Sequence, residues 1–178
     1  MSVILQSSGG GQITLQEPTT ASNFTQTLPA STGTIVTTGS PQSGSVIQVV
    51  NSIATSNQTS NATATYADTG LTATITPKFA TSKILVICSQ GMFKDTTSPG
   101  IFMQLLRGST SLLVNGRLGI TDVTAGCSFI WSCNYLDSPA TTSATTYKTQ
   151  FRNFNTTGVA YVNVDNSTAQ ITLLEIAA

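Results

Sequence analysis

With no histidine in the chain, seven carboxylates and three thiols are the side chains best suited to acid–base, nucleophilic or metal-binding chemistry. The carboxylates are Glu17, Asp68, Asp95, Asp122, Asp137, Asp165 and Glu175. Glycoside cleavage needs two of them flanking one bond, one protonated and one ionised. No two are close in sequence. Five stand in turn-like contexts, where Asp is favoured because its side chain caps backbone N–H groups. Asp68, Asp137 and Asp165 are therefore read as turn residues, and Glu175, at the end of the last strand, as half of an inter-subunit salt bridge. The thiols are Cys88, Cys127 and Cys133. An odd number argues against a complete disulfide framework. Each sits in an apolar, strand-like run, as a buried thiol acting as a small hydrophobe would. Without His and without a CxxC spacing they do not compose a zinc site. No catalytic, cofactor-binding or metal-binding residue is assigned.

Other candidate sites fare no better. Gly9-Gly10-Gly11 lacks the lysine and following helix of a phosphate loop and reads as a linker. Arg107, Arg117 and Arg152 are spread along the sequence, and net charge is zero, so no basic patch for nucleic acid is expected. The longest apolar run, Ile84–Cys88, is far short of a membrane span, so no membrane insertion is expected. The first residues lack the basic and apolar regions of a signal peptide. Sequons at Asn23, Asn57, Asn61, Asn155 and Asn166 then reflect only an Asn- and Thr-rich composition.

The elements that would position any site are strands. Only 8% of residues are charged, about a third of the usual share, too few to solvate helix faces. Alternating β-branched segments recur instead. Residues 1–45 contain short runs (Val3–Leu5, Ile13–Leu15, Phe24–Leu28, Gly33–Val36) too poor in apolar residues to form a core. Gly39–Ser45 reads as a linker. From Ser45 the expected strands are Val46–Val50, Ala62–Tyr66, Leu71–Ile75, Lys83–Ser89, Ile101–Leu106, Ser111–Val114, Cys127–Tyr135, Tyr147–Phe154, Ala160–Val164 and Ile171–Ile176. Asp68-Thr69-Gly70 is the tightest hairpin signal, and Asn115-Gly116 a further turn. Lys83–Ser89 is apolar throughout, as a central strand covered on both faces would be. Eight to ten strands with turns every 8–15 residues point to an all-β fold, an antiparallel β-sandwich of jelly-roll type with an extended N-terminal β-arm. The aromatics Phe93, Phe102, Phe129, Trp131, Tyr135, Tyr147, Phe151, Phe154 and Tyr161 are assigned to core packing. Phe129 and Trp131 share one strand face, as do Tyr147 and Phe151. Loops Asp95–Pro99 and Thr121–Thr124 are the expected place for ligand contacts.

Two stretches, Gly11-Gln-Ile-Thr-Leu-Gln-Glu-Pro-Thr-Thr-Ala and Thr25-Gln-Thr-Leu-Pro-Ala-Ser-Thr-Gly-Thr-Ile-Val, resemble a segment common in bacteriophage tail-fibre and related virion proteins. Tyr66–Leu71, Ile75–Pro77, Ser82–Val86 and Tyr135–Tyr147 resemble the C-terminal domains of phage fibres. The resemblance implies a homotrimer at the virion surface, made in the host cytoplasm. Residues 1–45 would anchor it to a baseplate, tail or major capsid protein, and residues 46–178 would form a head that touches a host glycan or protein. It transfers no catalytic residue. A long fibre shaft is missing, which leaves a capsid decoration (cement) protein as the alternative. A glycan-cleaving enzyme using distant carboxylates such as Asp95 and Asp122 is the third reading.

Overall fold

The computed structural model describes residues 2–16, 30, 39–55, 58–60, 65–95, 100–119, 126–154, 156–164 and 167–178. They belong to two compact units, Met1–Ile35 and Val36–Ala178. The expected strands Phe24–Leu28 and Gly33–Val36, most of Ala62–Tyr66, and Glu17, Asp122 and Asp165 lie outside the described residues.

The first unit contains a hairpin of β1 (Ser2–Gln6) and β2 (Gln12–Gln16). Its register pairs Leu5 with Ile13. Gly9-Gly10-Gly11, expected as a linker, closes this hairpin instead. Ser7 N–H donates to the Gly11 carbonyl at 2.8 Å, Gly10 N–H donates to the Ser7 carbonyl at 3.1 Å, and Gly10 takes φ 84°. That is a left-handed conformation open to glycine without steric cost.

The second unit holds β3 (Val46–Ala54), β4 (Gln58–Ser60), β5 (Ala67–Ile75), β6 (Lys83–Lys94), β7 (Ile101–Arg107), β8 (Thr110–Leu118), β9 (Cys127–Asp137), β10 (Thr145–Asn153), β11 (Ala160–Val162) and β12 (Ala169–Ile176). Every pairing among the described residues is antiparallel. One sheet runs β9-β6-β12-β3, with β11 and β4 continuing beside the end of β6. The other runs β5-β10-β7-β8. The pairs are nested about the Gly108–Ser109 turn: Arg107 faces Thr110, Ile84 faces Asp137, Ile75 faces Thr145 and Ala54 faces Ala169. One long ribbon, doubled back on itself and wound into two sheets, is the jelly-roll arrangement. The all-β antiparallel sandwich expected from the alternation is what the chain forms.

Period-two alternation sends Leu71, Ile75, Ile84, Val86, Met103, Leu105, Phe151, Ile171 and Leu173 into one core shared by both sheets. A polar thread crosses that core. Gln90 Nε2 donates to Asn163 Oδ1 at 3.0 Å, and Thr149 Oγ1 donates to Gln90 Oε1 at 3.1 Å. The Thr149 and Thr69 hydroxyls are 2.5 Å apart. All four residues are fully buried. Satisfied polar groups of this kind pin the two sheets in one register, since any slip would leave them unpaired.

Two turn expectations fail for the same reason. Asp68-Thr69-Gly70 lies inside β5, where the register jumps between Lys148 and Gln150 and Gly70 takes φ 84°. Asn115-Gly116 lies inside β8, at a register shift opposite Ile101–Met103. Both are β-bulges, which call on the same residue types as tight turns do. Gly39–Ser45 is tied down as well: Gly44 N–H donates to the Ala177 carbonyl at 2.8 Å, and Ala177 N–H to the Ser45 carbonyl at 2.9 Å.

Candidate functional site: the two outer faces of the sandwich

The described carboxylates are occupied with structure. Asp137 is not a turn residue. It ends β9, is buried, and receives both hydrogen bonds of a forked contact from Arg107 Nη1 at 2.9 and 2.8 Å. The Tyr147 hydroxyl donates to the same carboxylate at 2.7 Å. Burial and this carboxylate push the Tyr147 hydroxyl well above its ordinary pKa. Glu175 is buried too, rather than offered to a neighbouring subunit. Gln48 Nε2 and the N–H groups of Lys78 and Phe79 donate to it at 2.6, 2.8 and 3.2 Å. Burial opposes its charge, but the hydrogen bonds from Gln48, Phe79 and Lys78 prevail and hold the carboxyl below the usual range. Asp95 accepts from Val159 N–H at 2.8 Å and its own N–H donates to the Val159 carbonyl at 3.1 Å. The rest of the two loops expected to make ligand contacts, residues 96–99 and 121–124, lies outside the described residues. Among the described residues no cluster of His, Cys, Asp or Glu could hold a metal ion.

What remains exposed differs between the two sheets. On the outer side of β9-β6-β12-β3, register aligns Leu136, Leu85, Leu174 and Val49 in one row across all four strands. Leu136 is 51% and Val49 58% exposed. Ile87 and Val46 stand exposed in the adjoining register rows, while Ile53 and Ile130 are exposed further along, past the polar residues Asn134, Thr172 and Asn51. Beyond Ile130 an open hollow of about 600 Å³ lies over the paired ends of β6 and β9, lined by Met92, Phe129, Ile130, Val164 and Ser167. β6 is the expected central strand, bonded on both edges. Only its inner face is covered, because Leu85 stays half-buried and Ile87 exposed.

On the outer side of β5-β10-β7-β8 the surface is mostly polar and internally bonded, with Val114 exposed opposite Gln104. Ser111 Oγ donates to Gln104 Oε1 at 3.2 Å, Gln104 Nε2 to Gln150 Oε1 at 2.6 Å, and Gln150 Nε2 to Asp68 Oδ1 at 2.6 Å. The ladder crosses all four strands and ends on a carboxylate that also accepts from Lys148 Nζ at 3.0 Å. Asp68 is thus a strand residue in an ion pair. A groove of about 450 Å³ runs along this ladder, lined by Tyr66, Gln104, Ser111, Lys148 and Gln150.

Beside the ladder stands a cation–aromatic stack that spacing along the chain conceals. Register places Arg152 opposite Phe102. The Arg152 guanidinium lies 3.9 Å from the Phe102 ring and 5.4 Å from the Tyr66 ring. Phe102 stacks on Phe154 at 6.0 Å, and Arg117 covers Phe154 at 4.3 Å. Gly116 makes room for it, because a Cβ there would sit 2.5 Å from Phe102 Cε1. Phe102 and Phe154 therefore stand outside the core expected of them. Trp131, Tyr147 and Phe151 are buried as expected, and Trp131 Nε1 donates to Asn115 Oδ1 at 3.1 Å.

No protein-family model matches the chain, and no curated protein does. Among solved structures, infectious bursal disease virus of the Gx strain is similar at 14% identity and TM-score 0.42, over 98% of this chain and 44% of that one. The VP2 subviral particle of the same virus is similar at 13% identity and TM-score 0.38, over 94% of this chain and 44% of that one. The chain spans less than half the length of these chains. Its fold assignment rests on its own strand order.

Proposed function

We propose that the chain is a structural protein of a virus particle, a short tail fibre whose trimeric head contacts the host surface. The observation that carries this reading is the uncovered aliphatic row Leu136–Leu85–Leu174–Val49 on one face of a jelly roll. A contiguous exposed apolar surface marks an interaction site. The occupant is a second copy of the chain. The row and its surroundings carry no charge except Lys83 at the margin, so the copies of a trimer can pack their rows together around its axis without stranding a buried ion, and each copy supplies the same aliphatic surface. The resemblance to phage fibres supports a virion setting.

In this reading residues 1–45 anchor the molecule by strand pairing, which uses backbone groups and suits a plain Ser/Thr-rich sequence. Ile4, Leu5 and Ile13 of the β1–β2 hairpin are all more than half exposed, and a two-stranded hairpin needs a partner to be stable. The opposite face of the head takes the host ligand. Planar amide and carboxylate groups prepositioned by mutual hydrogen bonds, with Tyr66 as a stacking surface, fit the alternating donors and acceptors of a neutral glycan. The chemistry is binding, with no bond broken.

The flat apolar face favours a second reading, a decoration protein packed over the capsid. Counting the chain in purified virions by cryo-electron microscopy and gel densitometry separates the two. Tens of copies at the tail support the fibre, and hundreds over the shell support decoration. Absence from the particle overturns both.

A further inference from the structure

We infer that Cys88 and Cys133 are a disulfide pair that links β6 to β9, with Cys127 left as the free thiol. The two residues are direct partners in the antiparallel register of β6 and β9. Directly opposed residues in such a ladder have Cα atoms about 4.5–5.5 Å apart, inside the span of about 4.4–6.8 Å that a disulfide bridges. Both side chains point into the core, at 2% and 6% exposure, and their sulfurs approach to 2.7 Å. Both are thiols in this structure. Cys127 lies opposite Lys94 at the other end of β9 and is half-buried. The odd cysteine count that argues against a disulfide framework thus resolves into a pair and a remainder.

The oxidant is a small disulfide of the glutathione class. One thiolate attacks a sulfur of oxidised glutathione, breaking its S–S bond, forming a mixed disulfide and releasing one glutathione thiolate. The second protein thiolate then attacks the protein sulfur of the mixed disulfide and releases the second glutathione. The two cysteines together lose two electrons and two protons, and oxidised glutathione gains both. The adjoining Cys133, together with burial, pushes the Cys88 thiol far above its ordinary pKa. Attack inside the folded sheet is therefore slow, because the thiolate is the nucleophile. The bond forms before β9 has docked. Among the described residues β9 pairs only with β6, so it is an edge strand that can join late. Once closed, the bond is shielded from reductants by the same burial.

The test is to refold the full chain with a mixture of oxidised and reduced glutathione, and in parallel with dithiothreitol. Free thiols are then counted after denaturation, alongside intact mass and non-reducing peptide mapping. The expected result is one titratable thiol per oxidised chain, a mass lower by two hydrogens, and a linked peptide pair containing Cys88 and Cys133. In Cys127→Ser the oxidised chain should show no free thiol, and its urea midpoint should lie above that of the reduced form. Three free thiols after oxidative refolding, or a linkage through Cys127, would overturn the inference. If the chain does not refold, expression in cells whose cytoplasm has been made oxidising, with thiols blocked at lysis, gives the count on protein folded in place. There, one free thiol supports the pair, and three free thiols or a linkage through Cys127 overturn it.

Discussion

The two outer faces of this sandwich have the same core behind them and opposite chemistry in front. Antiparallel sheets normally present polar residues to water on the side away from the core. The β5-β10-β7-β8 sheet does so with a hydrogen-bonded ladder from Ser111 to Asp68. The β9-β6-β12-β3 sheet carries an aliphatic row instead. Folding alone would be served by polar residues on both faces. A departure from local pattern that brings no gain to the isolated subunit marks where function acts. Under the proposed function the difference puts assembly on one face and ligand contact on the other, and each half of that proposal can be attacked separately.

The largest effect should come from placing charge in the aliphatic row. Leu85→Lys combined with Leu136→Lys would bury two unpaired ammonium groups at the subunit contact, at about several kcal/mol each. Sedimentation should show the oligomer lost while circular dichroism keeps the strand signal. Thr74→Lys, on the opposite face, should leave assembly intact. A double variant that assembles like wild type would detach the row from oligomerisation.

Next comes the contact that spans both sheets. Arg107→Ala leaves the Asp137 carboxylate buried without its cation, which costs about 3–5 kcal/mol. Because Asp137 ends β9 and Arg107 ends β7, assembly and ligand binding should weaken together, unlike in the face-specific variants. Tyr147→Phe removes one hydrogen bond and should cost about 1–3 kcal/mol, as a charged acceptor loses a donor. Urea unfolding checks both.

Acid should also loosen the anchorage of Glu175 in the aliphatic sheet. The Glu175 carboxyl is held below its ordinary value near 4.5 in the folded chain. A depressed folded pKa contributes stability above the unfolded pKa, and that stability is lost as pH falls through the folded pKa. Unfolding free energy should therefore decline below about pH 4.5 as the loop at Lys78–Phe79 comes loose. Glu175→Gln should lower stability by about 2 kcal/mol at pH 7 and flatten that acid limb. An unchanged acid limb in Glu175→Gln would remove Glu175 as its source.

Much of this frame was legible in the sequence. Alternation located β3, β6, β7, β9, β10 and β12 to within a few residues, because inward positions every second residue are what burial imposes on a strand. The unusually apolar Lys83–Ser89 announced a strand needing cover on both sides, and the structure covers one. Strand order was not legible, since periodicity reports which face is buried and not which strand lies alongside. The bulges at Gly70 and Gly116 look like turns in the sequence because a residue that relieves backbone strain serves either purpose. The ladder, the Arg152–Phe102 stack and the Cys88–Cys133 pair were hidden for one reason: each joins residues that only the pairing of distant strands brings together. Arg152 and Phe102, far apart in sequence, become neighbours because β10 and β7 are.

The smallest stability effect should come from Asp68→Asn, and it isolates what the polar face is for. The Asp68 side chain is 55% exposed and its carboxylate lies 2.9 Å from Lys148 Nζ. Burial works to raise its pKa, yet hydrogen bonds from Lys148 and Gln150 and the Lys148 charge leave it below the ordinary carboxylate range. So exposed a pair is worth about 0.2–1 kcal/mol and is screened by salt. The unfolding free energy should therefore fall by less than about 1 kcal/mol, and the difference should vanish near 1 M salt, where screening acts within about 3 Å. Glycan binding should respond out of proportion. Every donor in the ladder points toward Asp68, so an acceptor-only carboxylate fixes which amide hydrogens and oxygens the groove presents. An Asn can turn its own N–H toward Gln150 and reverse the run. A glycan array with Asp68→Asn and Gln150→Ala should show binding lost in both, with assembly unchanged. If both variants bind as wild type does, the ladder is only a solvated sheet face, and the contrast between the two faces reduces to the aliphatic row alone.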